Sequence, residues 1–218
     1  MTAATEVRLI APTVAGLGAT PDAGAKAWSG VRSMVIPLSP TPLDRQPSAY
    51  VQASWRERPY GAVAAMEAQF AVNAGMLHAR LIWVAADPRP AITDNNVFPD
   101  ACALLFPSNG SSAPLETMGS PEEPVTTWHW RAGAPGAFLA TASGLGTVDR
   151  TKSHDLAVEA AWANGRWTVA FACPIGSGGF AIPEKREVSV AFAAWSGANN
   201  ERAGLKSHSP AWSTLSIS

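Results

Sequence analysis

The chain has 218 residues, a size that suits one domain, and 47% of them are hydrophobic against 15% charged, so a core is easily filled. Its formal net charge is −1 with no block of like charges, which argues against the clustered basic face that a nucleic-acid partner requires. The longest apolar stretch of note, Leu81 to Ala86, is far short of the roughly 20 residues that a membrane-spanning helix takes.

Taken in chain order, the opening MTAATEVRLIAP lacks the basic start and apolar run of a secretory leader. Eighteen prolines and 18 glycines then punctuate short apolar runs throughout, the pattern of many strands joined by turns. A brief helical turn is predicted near 24–27, and strands over 31–38, 47–58, 62–72, 76–85, 101–106, 125–131, 155–162, 166–173 and 187–195. These elements make residues 1–218 a single all-β domain, an antiparallel β-sandwich with short helical segments in its loops.

Several elements say more than their type. In TTWHW, Trp128 and Trp130 fall on one side of a strand and His129 on the other. Core packing is the default for the tryptophans; the wall of a flat ligand's pocket and a sugar-stacking platform are the sharper readings. Asn164-Gly165 lies between DLAVEAAW and RWTVAFAC, and Asn-Gly suits a type I′ turn because both central residues need positive φ. A two-residue loop pairs Ala163 with Arg166, Trp162 with Trp167, Ala160 with Val169, Val158 with Phe171 and Leu156 with Cys173. That register predicts an apolar face carrying both tryptophans. The run EVSVAFAAW, residues 187–195, is apolar or small on both faces, which predicts a central strand covered on both sides.

Catalytic signatures are absent: there is no GxSxG, no HExxH and no GxxxxGK[ST]. GSGG at Gly176–Gly179 reads as a turn, as does the sequon-like Asn109-Gly110-Ser111. Cys102 and Cys173 form neither a CxxC knuckle nor a CxxCH attachment site; they read as small buried hydrophobes, with a disulfide left open. His78, His129, His154 and His208 show no metal-pair spacing.

Two segments carry a resemblance. Asp94 to Trp130 contains FPDACALLFP, then a Met-Gly loop (TMG), then a strand ending in Trp-x-Trp; the tail WSGANNERAGLKSHSPAWSTLSI contains a Lys-Ser-x-Ser-x-x-Trp element. Together they resemble the haem-binding γ subunits of the molybdenum enzymes related to ethylbenzene dehydrogenase, dimethylsulfide dehydrogenase, selenate reductase and chlorate reductase. The likeness runs from about residue 28, leaving 1–27 as an N-terminal segment outside it. It implies a β-sandwich enclosing one non-covalent haem b, with Met118 and Lys206 as the axial iron ligands. Lys206 and His208 are two apart and would share a face in a strand, so only the family pattern favours the lysine.

The same resemblance implies a non-catalytic electron-transfer subunit in a heterotrimer with a molybdopterin-containing subunit and an iron–sulfur subunit. It would exchange electrons with an external carrier such as a c-type cytochrome. A periplasmic location follows, with a leader removed or export alongside a partner, and the cytoplasm as the other setting. The competing readings are a carbohydrate-binding β-sandwich module, which gives Met118 and Lys206 no task, and a stand-alone b-type cytochrome.

Overall fold

A computed structural model describes residues 7–110, 113–151, 155–180 and 186–218; His154 and Ser111 of the sequon lie outside them. In chain order the strands are β1 (Arg8–Ala11), β2 (Met34–Pro37), β3 (Ser39–Pro40), β4 (Ala65–Asn73), β5 (Met76–Val84), β6 (Ala101–Pro107) and β7 (Val125–Arg131). They continue as β8 (Phe138–Ala142), β9 (Asp149–Thr151), β10 (Ala157–Ala163), β11 (Arg166–Pro174), β12 (Glu187–Trp195), β13 (Ser207–His208) and β14 (Ser213–Ile217). One sheet runs β1-β14-β12-β6-β7-β8-β9, with β13 bridging β12 to β3; the other runs β10-β11-β5-β4-β2. All neighbours are antiparallel except β1 and β14. The expected all-β sandwich is the fold.

Period-two alternation explains how the sheets stack. From the larger sheet, Cys102, Leu104 and Phe106, Trp128 and Trp130, and Phe192 and Ala194 turn inward. They meet Phe70, Leu81, Trp83, Val169 and Phe171 of the smaller sheet in one cluster. Aromatic rings lock the layers together: Phe192 lies 6.3 Å from Phe70, and Trp130 lies 6.2 Å from Trp83 and 5.0 Å from Trp167. Trp128 and Trp130 are therefore core residues, not a binding platform. Cys102 and Cys173 are both buried and both free. The GSGG stretch is a turn packed on this core, with Trp128 Nε1 donating to the Gly178 carbonyl at 3.1 Å.

The Asn164-Gly165 hairpin has the expected turn, with φ of 52° and 74°, and the expected register from Ala163–Arg166 to Val158–Phe171. The strand begins at Ala157, so the ladder stops short of a Leu156–Cys173 pair. Its burial differs from expectation. Trp167 is buried, but Trp162 is 42% exposed, because β10 is an edge strand that overhangs the core. Trp162 instead donates its indole N–H to the Ala85 carbonyl at 2.9 Å.

The strand expected over 47–58 is a helix, α1 (Ala49–Trp55). Ser48 caps it by accepting from the Val51 N–H at 3.3 Å, so the segment satisfies its backbone locally. The helical turn expected near 24–27 is a 3₁₀ turn at Lys26–Gly30 that buries Trp28.

Candidate functional site

The outer face of the larger sheet carries a cavity of about 650 Å³, within the roughly 300–1,000 Å³ of cofactor and ligand pockets. Register explains the space. A row of residues crosses the sheet as His208, Ala193, Ala103, His129 and Phe138, with alanines in the middle. The next row holds Ala191, Leu105, Thr127, Ala140 and Arg150. Wherever β6 and β12 send leucine, phenylalanine or valine inward, they send mainly alanine outward, so a floor of methyl groups lies under open volume. EVSVAFAAW is covered on both sides, as its composition predicts: by the core beneath and by Leu115 and Trp212 above.

Loops on this face bring Met118 and Lys206 together across 88 positions of sequence. The Lys206 Nζ donates to the Met118 sulfur at 3.1 Å and lies 5.5 Å over the Trp195 ring. Lys206 is only 1% exposed, among the least exposed large side chains in the protein. Burial pulls its amine down from the usual 10.5 to about 8. A lysine so buried, with a thioether as its hydrogen-bonding partner, is not a solvated surface charge.

The backbone on either side is held firmly. Thr41 N–H donates to the Lys206 carbonyl at 3.0 Å, Trp195 Nε1 to Ala203 at 3.0 Å, and Gln46 Nε2 to Gly204 at 3.2 Å. Buried Glu201 fastens the same loop by accepting from the Ala62 and Ser196 amides at 2.8 and 2.9 Å. Met118 sits at a positive φ of 58°, uncommon for a side-chain-bearing residue, and its N–H donates to Leu115 at 3.1 Å. Gly119 follows at φ 83°, where a Cβ would meet the Glu123 carbonyl at 2.7 Å, so glycine after Met118 is a steric requirement of this turn.

Histidines flank the floor without matching Lys206 in this contact. His129 lines the cavity, stacked 4.6 Å from Phe138, and burial with nearby Arg150, Arg131 and Lys206 lowers it to about 3. His208, on the same face, is lowered by burial and by Lys206 to about 4, and both its ring nitrogens are buried without a hydrogen-bond partner. Both imidazoles are thus neutral near pH 7.

The alanine floor, Trp195 and the arginines lining the cavity (Arg131, Arg150 and Arg202) escape sequence reasoning. The doubly apolar 187–195 run was the one usable signal for the floor; nothing local marks the arginines. Among the described residues, no group of three or more His, Cys, Asp or Glu side chains could hold a metal ion. No helix among them is long and apolar enough to cross a membrane.

No protein-family model matches the chain. It is 33% identical over 150 residues to the chlorate reductase γ subunit of Ideonella dechloratans, covering 67% of this chain and 62% of that protein. It is 29% identical over 186 residues to a protein of Haloferax mediterranei designated a candidate respiratory nitrate reductase haem subunit, covering 84% and 63%. To the dimethylsulfide dehydrogenase γ subunit of Rhodovulum sulfidophilum it is 28% identical over 153 residues, covering 66% and 57%. The chain thus spans about three-fifths of the length of the curated relatives it matches.

Solved structures match in fold alone. A family 9 carbohydrate-binding module of Caldicellulosiruptor kristjanssonii has a TM-score of 0.54 at 8% identity, covering 96% of this chain and 93% of its own. A candidate carbohydrate-binding protein of Bacteroides uniformis has a TM-score of 0.59 at 7% identity, covering 98% and 100%. The sandwich is therefore shared with sugar-binding modules, while the sequence kinship lies elsewhere. On that kinship, the chain belongs to the γ-subunit family represented by chlorate reductase and dimethylsulfide dehydrogenase.

Proposed function

We propose that this chain binds one haem b non-covalently on the outer face of its larger sheet, with Met118 and Lys206 as axial ligands. On this reading it serves as a non-catalytic electron-transfer subunit of a molybdenum oxidoreductase. The observation that carries the reading is the contact at 3.1 Å between the buried Lys206 amine and the half-buried Met118 thioether, beside a cofactor-sized cavity. The names of the relatives support it: two are γ subunits of a reductase and a dehydrogenase, and one is designated a haem subunit.

The residues fit such a group. Ala103 and Ala193 offer an apolar floor, and Phe138 and Trp195 add aromatic walls. Deprotonating a lysine of pKa near 10.4 at pH 7 costs roughly 4–5 kcal/mol. From about 8 the cost is only about 1.4 kcal/mol, so burial readies Lys206 as a donor. Bound there, haem supplies a one-electron couple, and the soft thioether of Met118 favours its ferrous form.

The relatives named as subunits support a place in a multi-subunit complex. By the family resemblance we propose that its partners are a molybdopterin-containing subunit and an iron–sulfur subunit, with an external carrier such as a c-type cytochrome, in the periplasm. The carbohydrate reading has less behind it. Trp28, Trp83, Trp128, Trp130 and Trp167 are buried in the interior and offer no ring to a sugar.

The test is the visible spectrum of the purified protein before and after dithionite. A Soret band with sharp reduced α and β bands is expected, and their absence after haem reconstitution would sink the reading. Co-purification with two larger subunits separates a complex from a stand-alone cytochrome.

A further inference from the structure

Among the described residues, no ion pair engages the arginines of the cavity. Arg131, Arg150 and Arg202 line it, and among the described residues the ion pairs are Arg89–Asp87 and Arg166–Glu67, which involve none of the three. Arg131 is half-buried, and its Nε is buried with no hydrogen-bond partner. Arg150 and Arg202 are exposed, and each lies over an aromatic wall: Arg150 4.9 Å over Phe138 and Arg202 4.5 Å over Phe98. Stacking holds a guanidinium's carbon in place while leaving its edge N–H groups free to donate. Glu201 also lines the cavity, but its carboxylate oxygens are taken by the Ala62 and Ser196 amides and the Asn199 side chain. The floor is thus rich in alanine, while the lining presents three cations that have no carboxylate partner among the described residues.

We infer that Arg131, Arg150 and Arg202 form an anchor for the two carboxylates of the bound ligand, which on the haem reading above are the porphyrin propionates. Arginine suits the task because its planar fork donates two parallel hydrogen bonds to a carboxylate. The arrangement divides the work: Met118 and Lys206 address the centre of the ligand, and the arginines set its orientation by its acidic edge.

The test uses haem-free protein titrated with haemin and with haemin dimethyl ester, whose propionates cannot ionise. Wild type is expected to bind both with the same low-spin spectrum, the ester at least about tenfold more weakly, one charge-assisted contact being worth that much. Arg150→Gln and Arg202→Gln, both at exposed positions, should weaken haemin binding and shrink its preference over the ester, and adding Arg131→Gln should erase the preference. Equal affinity of wild type for haemin and the ester overturns the anchor while leaving the haem reading intact, as does an undiminished preference in the folded exposed-site variants. Failure of wild type to bind either compound overturns both readings.

Discussion

Replacing Lys206 by methionine should stabilise the haem-free protein at neutral pH. The lysine is 1% exposed, with the Met118 sulfur and the Trp195 ring at its amine. Burial holds its pKa at about 8, and unfolding returns it to the usual 10.5. Between those values the unfolded chain binds more protons than the folded one, so stability rises with pH from about 8 to about 10.5 and is lowest below 8. The gap of about 2.5 pH units, at about 1.36 kcal/mol each, makes the buried lysine cost on the order of 3 kcal/mol at pH 7. Methionine is similar in length, apolar and carries no such penalty. Urea unfolding of haem-free wild type and Lys206→Met should therefore separate them by about 3 kcal/mol at pH 7 and by less than about 1 kcal/mol at pH 10. The variant should also lose low-spin ligation when haem is added. A variant less stable than wild type at pH 7, or a difference that ignores pH, would show that the lysine stabilises the fold and refute the argument.

Met118→Ala should keep the fold and, with haem bound, leave a coordination position to which carbon monoxide adds in the reduced protein; the potential should fall as the soft donor is lost. An unchanged six-coordinate spectrum would refute that assignment. Ala193→Phe places a ring on the cavity floor, at a residue with no exposed surface, and should abolish haem uptake while far-UV circular dichroism stays native. Full haem occupancy in that variant would place the ligand elsewhere. Asn164→Val forces a β-branched residue into a φ of 52° and should lower stability by roughly 1–2 kcal/mol in thermal or urea unfolding, with haem ligation unaffected.

What the sequence by itself determined was whatever depends on neighbours along the chain. Alternation placed the central strands of both sheets, and Asn164-Gly165 set a hairpin register because one turn type suits that pair. Composition at 187–195 announced a strand covered on both faces; Met118 and Lys206 were singled out only by the family resemblance that the Met-Gly and Lys-Ser motifs carry. Local reading failed where a distant partner decides. It took 47–58 as a strand, though no sheet edge receives that segment and Ser48 caps a helix instead. Short β9 has no apolar residue of its own and exists because β8 offers it a ladder. Trp162 stands partly in water because its strand is the sheet's last. Only the tertiary structure set the alanines of β6 and β12 side by side, gathered the three arginines, and buried Lys206 against Met118. A cavity is a relation between strands far apart in the chain, and the pKa of a lysine depends on what covers it, which no local pattern specifies.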